Sequence, residues 1–256
     1  MKRQIYLDHS YNIDQNFIFY KKLEKLGFIL DKEMVEHPGK AYCKFISLNG
    51  KNKRNRYYLE FVSFGKGAPL IEKEPGLSFG YNENLESFYK KINKKIPAKF
   101  SHKNYNWKEN SVDRLPGWNM LNFNKPPIKN IFTWFTEYEP NRKRKVKKVP
   151  KHKNTATGIH GIVLELTNSS KKKLEMILGK KIDEKFDMGD ETFIYIKKSK
   201  KDRFASVIVT CESLKIAKNK IGRSGLGITF EGKEAISINP KNYENGFGWN
   251  LILIQS

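Results

Sequence analysis

The sequence predicts an α+β chain built from four repeated βαβββ modules, paired into two halves. Three observations carry that expectation. Strand-like alternation of apolar and polar residues recurs along the chain. Each recurrence opens with one strand followed by one short amphipathic helix, and two of these helices run into a glycine, at Gly27 and Gly179. The same order of elements returns four times, which marks a repeat.

In the first module, Ile5 to Ile13 alternates as a strand and Phe17 to Leu26 carries apolar residues at helical spacing up to Gly27. Phe28 to Lys32, Ala41 to Leu48 and Tyr57 to Phe64 follow as strands, separated by a Pro-Gly turn and a polar loop. The second module reads Leu77 to Tyr81 as strand, Leu85 to Ile92 as helix, then strands near Ala98, Trp118 to Phe123 and Ile131 to Tyr138. The third runs from the strand Ile159 to Leu166 through a helix over Lys171 to Leu178 to strands around Ile182 and Phe193 to Ile196, one strand short of the pattern. The fourth comprises Phe204 to Cys211, a helix over Ser213 to Ile221, and the runs LGITF, EAISI and WNLILI. Residues 1–140 then form one half and residues 157–256 the other. Between them, 141–156 reads as a basic, solvated linker with eight Lys/Arg from Asn141 to Lys153.

Composition bounds the function classes. Hydrophobic residues at 38% and aromatics at 13% supply a core that a disordered chain lacks. The formal net charge of +22 attracts anions whatever the fold. The lysines are scattered, and no paired Cys/His finger, aromatic RNP motif or basic heptad region accompanies them, so nucleic acid is not the expected partner. The two cysteines, Cys43 and Cys211, lie far apart in strand-like runs, as buried reduced thiols do. The N-terminus lacks the apolar stretch of a signal peptide, and no run approaches the roughly 18 apolar residues of a membrane span, so a soluble, cytoplasmic protein is expected.

The strand with Leu7, Asp8 and His9, the helix ending at Leu26, Gly27 and Phe28, the segment Glu36, His37, Pro38, Gly39, and the closing strand YYLEFVSFG with Glu60 together resemble the opening module of glyoxalase-like proteins of the vicinal oxygen chelate superfamily. The resemblance implies curved mixed sheets, two modules side by side enclosing a deep cleft. It also implies a divalent metal ion held by residues on the first and last strands of paired modules, whose identity the donor types leave open. Carried onto this sequence, His9 and Glu60 are the implied metal ligands and catalytic groups, with Glu137 as a further ligand unless Trp134 occupies that position. His37 is a candidate to bind or protonate substrate, or else a polar turn residue before Pro38, and Trp118, Trp134 and Phe132 are candidates to line an apolar pocket, or else core. Where a second histidine is expected, module two has Leu77 or a neighbour. The second half has Gly161 or Ile162 on its opening strand, next to His160, and Ile252 on its closing strand, so no metal is expected there.

The superfamily spans several chemistries, and fold does not choose among them. A small, anionic ligand is the implied partner, and assembly as a homodimer is left open. Two functions stand side by side: metal-assisted lyase, isomerase or dioxygenase chemistry, and non-catalytic sequestration of a small molecule by a degenerate site. Polyanion binding through Arg142 to Lys153 is a third.

Overall fold

The structure, a computed structural model, describes residues 5–37, 40–48, 57–67, 74–103, 118–138, 149–189, 191–240 and 248–256. Module one contains β1 (Ile5–Ile13), α1 (Ile18–Lys25), β2 (Met34–His37), β3 (Ala41–Leu48) and β4 (Tyr57–Phe64). Module two contains β5 (Gly76–Tyr81), α2 (Leu85–Ile92), β6 (Ala98–Lys103), β7 (Trp118–Phe123) and β8 (Phe132–Tyr138). Module three contains β9 (Ala156–Leu166), α3 (Asn168–Leu178), β10 (Lys185–Gly189) and β11 (Thr192–Lys198), one strand fewer than the others. Module four contains β12 (Arg203–Cys211), α4 (Leu214–Ile221), β13 (Leu226–Phe230), β14 (Lys233–Ile238) and β15 (Asn250–Gln255).

The strands form two curved mixed sheets, ordered β2-β3-β4-β1-β5-β8-β7-β6 and β10-β11-β9-β12-β15-β14-β13. In each module the opening strand pairs parallel with the closing one, and the opening strands of neighbouring modules pair antiparallel, β1 with β5 and β9 with β12. This is the α+β repeat expected from the sequence. Helices of 8 to 11 residues are marginal alone, so the apolar stripe of each must be buried. Leu23, Leu85, Leu174 and Leu214 do this within one apolar core that takes in residues of both sheets. Gly27 closes α1 with φ +90, its N–H donating to the Glu24 carbonyl and that of Phe28 to the Leu23 carbonyl.

Two expected strands are absent. Phe28 to Lys32 is an irregular segment whose backbone is fastened partly by side chains: Ile29 N–H donates to His152 Nδ1 at 2.9 Å, and the Tyr20 hydroxyl donates to the Asp31 carbonyl at 2.7 Å, while Asp31 N–H donates to the Phe45 carbonyl at 3.1 Å. Ile182 is a buried loop residue whose N–H donates to Glu175 Oε1 at 3.1 Å, and the strand begins later, at Lys185.

The stretch expected to be a solvated linker is partly core. Residues 139–148 lie outside the described residues, but His152 and Asn154 are 2% and 0% exposed. His152 accepts from Ile29 N–H and donates through Nε2 to the Ser47 carbonyl at 2.9 Å, while Asn154 donates through Nδ2 to the Leu26 carbonyl at 3.1 Å. A Cβ at Gly27 would lie 2.9 Å from the Asn154 nitrogen, so glycine serves this docking as well as the turn. Burial lowers the His152 pKa from 6.5, against the Ser47 hydrogen bond and the Asp31 charge. Because the folded value is depressed, the unfolded chain binds the proton more readily, and the brace loses stability as pH falls below 6.5. Urea unfolding from pH 7 down to pH 5 is expected to show this loss, and His152→Gln is expected to remove that part of the slope.

Candidate functional site

The first sheet has two faces. One packs on the helices through Leu7, Leu59, Phe61, Phe79 and Phe135. The other carries Tyr11, Ala41, Cys43, Val62, Phe64 and Trp134. Strict alternation would separate Asp8 and His9 onto opposite faces. The β1–β5 register shifts between Leu7 and His9, making Asp8 the extra residue of a β-bulge, so Asp8 and His9 reach one another on the face away from the helices. His9 Nδ1 lies 2.6 Å from Asp8 Oδ2, and His9 Nε2 lies 3.3 Å from Glu60 Oε2. The Tyr138 hydroxyl donates to the same Asp8 oxygen at 2.8 Å. Tyr58 stacks on the imidazole at 4.9 Å between ring centroids, and Trp134 meets it edge-on at 5.3 Å.

The resulting chain of contacts runs Tyr138, Asp8, His9, Glu60, in a nearly dry setting where His9 and Glu60 are 8% and 7% exposed. Burial alone would lower the His9 pKa, but the Asp8 hydrogen bond and the charges of Asp8 and Glu60 outweigh it and raise the value above 6.5. Burial also pushes the Tyr58 hydroxyl well above its ordinary value, reinforced by Tyr138 and the nearby carboxylates. His37 moves the other way: burial lowers its pKa, opposed by Glu60 and assisted by His9, so it favours the neutral, ligating form.

His37, Cys43 and Glu60 each offer a donor atom, and these atoms lie within 4.8 Å of one another. Ligands around a borderline divalent ion sit about 2.0–2.3 Å from it and therefore roughly 3–4 Å apart, which this spacing accommodates. Imidazole, thiolate and carboxylate together fit a borderline ion such as zinc or cobalt.

Among the residues expected from the sequence, His9, Glu60, His37 and Trp134 come together. Glu137 does not. On β8, Trp134 faces the site, so Glu137 faces the opposite side, where Oε1 accepts from Leu85 N–H at 3.3 Å and Oε2 from Asn119 Nδ2 at 2.7 Å. It anchors the start of α2. Trp118 is the first residue of β7 and pairs with Tyr138. Pro38 and Gly39 of the His-Pro-Gly segment lie outside the described residues. The position facing His9 in β5 is Ser78, not Leu77, which is in the core. By the same register, Thr136 is the module-two counterpart of Glu60, and the two hydroxyls bond each other at 3.1 Å. In the second sheet, Val163, Ile208 and Ile252 pack together on the corresponding face. There His160 Nε2 lies 2.9 Å from the Tyr195 hydroxyl, which donates to Glu231 Oε2 at 2.7 Å.

The sequence alone does not mark Asp8, Cys43, Tyr58 and Tyr138 as site residues. The β3–β4 register places Cys43 and Glu60 on one face, and neither that register nor the bulge at Asp8 is legible in the local sequence.

No family model matches the chain, nor does any curated protein match it by sequence. Solved structures do match in fold. A hypothetical protein from Staphylococcus aureus aligns at TM-score 0.58 and 12% identity, over 98% of this chain and 100% of that one. A variant of 4-hydroxymandelate synthase from Streptomyces coelicolor aligns at TM-score 0.59 and 8% identity, over 99% and 93%. An extradiol ring-cleaving dioxygenase from B. fuscum aligns at TM-score 0.58 and 10% identity, over 97% and 70%. The chain therefore has the vicinal oxygen chelate fold. Among the described residues no helix is long and apolar enough to cross a membrane.

Proposed function

We propose that the chain binds a small molecule on the His9–Glu60 face of its first sheet and carries out metal-assisted chemistry on it. One observation carries this reading: Glu60 stands between His9 and the donors His37 and Cys43, so a proton-holding group and a metal-ligating group share one carboxylate. The likeness in fold to a ring-cleaving dioxygenase and a hydroxymandelate synthase supports a substrate with an aromatic ring and adjacent oxygens. A bound divalent ion would polarise those oxygens. Tyr11, Phe132 and Trp134, with centroids 5.1–6.5 Å apart, provide a shelf for the ring. His9, oriented by Asp8, holds the proton that the chemistry moves, and Tyr138 orients Asp8 in turn.

The decisive experiment is metal analysis of the purified chain and of Glu60→Gln. One divalent ion per chain, bound at least about tenfold more weakly by the variant, is expected. An ion-free protein, or affinity untouched by Glu60→Gln, sinks the metal-assisted reading. A second reading, sequestration without catalysis, is favoured by Ser78 and Thr136, which bond each other where module one has His9 and Glu60. It predicts that a small aromatic acid raises the melting temperature as much without metal as with it.

A further inference from the structure

The resemblance implies an ion shared between the first and last strands of two modules, but among the described residues the side chains close enough together to hold a metal come from β2, β3 and β4 of module one. His37 sits opposite Ala41, two residues from Cys43 on β3. Cys43 in turn sits opposite Val62, two residues from Glu60 on β4. The three are thus diagonal neighbours on one face of an antiparallel meander. Diagonal backbone positions lie about 7–8 Å apart, a gap that side chains of this length bridge by meeting at a common centre. Cys43 is 2% exposed and Glu60 7%. A carboxylate withdrawn from water needs compensating charge, to which a bound cation beside His9 would add.

We infer that His37, Cys43 and Glu60 form a thiolate-bearing site for a borderline divalent ion within module one, with His9 beside the ion rather than on it. This rests on the metal-assisted reading above and narrows it: a thiolate donor selects zinc- or cobalt-type ions over the hard, all-oxygen cations. Binding converts the Cys43 thiol to thiolate and releases its proton to solvent. The site would remain intact if the contacts between modules one and two were altered, which a shared site would not.

The test is titration of the full chain with Co²⁺, followed by absorbance and by the proton release. The wild type is expected to develop a near-ultraviolet thiolate-to-cobalt charge-transfer band. Cys43→Ser is expected to lose that band, His37→Gln to keep it with affinity at least about tenfold weaker, and His9→Gln to keep the band, because it removes a neighbour of Glu60 and no thiolate. Zn²⁺ should protect Cys43 from alkylation in the native protein without changing the behaviour of Cys211. Circular dichroism of each variant distinguishes ligand loss from unfolding, and the alkylation arm needs no substitution at all. Cobalt bound without a charge-transfer band, or a band that survives Cys43→Ser, overturns this ligand set while leaving a metal-assisted function standing. Failure to bind cobalt or zinc at all overturns both.

Discussion

Trp249→Ala is expected to lower the stability of the protein by about 3–5 kcal/mol, the range for deleting a fully buried large aromatic. Trp249 is 0% exposed. Its ring lies 6.0 Å from Phe61 in the first sheet and 6.3 Å from Phe204 in the second, and its Nε1–H donates to the Tyr11 carbonyl at 3.1 Å. The substitution therefore empties space at a junction of the two sheets and also leaves a buried carbonyl short of its donor. Trp249→Phe separates the two contributions in part, because it keeps a six-membered ring in place while losing the hydrogen bond, worth about 1 kcal/mol, and the packing of the five-membered ring. Urea unfolding of both variants checks the order. A loss below about 1 kcal/mol in Trp249→Ala would show that the halves do not depend on this contact. Tyr11 stands 5.7 Å from Trp134 on the proposed shelf, so the same variant is expected to weaken ligand binding through the β1 backbone.

The elements the sequence predicted well are those set by local periodicity. Leu85 to Ile92, Ala41 to Leu48 and Tyr57 to Phe64 have the predicted bounds because alternation or a helical stripe alone defines them. Prediction failed where a side chain replaced a ladder hydrogen bond. Nothing local to Phe28 to Lys32 announces that His152, more than a hundred residues away, will take the Ile29 N–H. The site follows the same division. Glu60 is visible as a polar residue in an apolar strand, and His37 through the Glu-His-Pro-Gly segment that carries the resemblance. Glu137 looked equivalent, but whether it faces the site depends on the register of β8, which the side chain itself does not reveal. Asp8 shares the His9 face only because the strand bulges, and a bulge forms through pairing with β5 rather than through the sequence of β1. Cys43 looked like any core thiol until β2 and β4 came to flank it.

Replacing His9 by Leu is the other change expected to have a large effect, and it separates an ionic role from a packing one. The side chains of Asp8 and Glu60 are 12% and 9% exposed, and His9 lies within 2.6 Å of the first and 3.3 Å of the second. Leucine fills much of the same volume between Tyr58 and Trp134 but leaves two carboxylates facing each other across an apolar side chain. Breaking a buried ionic contact in this way costs about 3–5 kcal/mol, far more than the pair contributes when intact, because the desolvated charges remain. Tyr138 relieves part of this for Asp8 through its hydroxyl, so the larger share of the loss falls on Glu60. The double variant His9→Leu with Glu60→Gln is accordingly expected to be more stable than His9→Leu alone, with a coupling of about 1–3 kcal/mol. Metal-free protein at neutral pH, unfolded in urea, gives the four corners of the cycle. Simple additivity would mean that His9 serves as a packed ring against Tyr58 and Trp134, and its part in holding a proton beside Glu60 would then have no energetic footing.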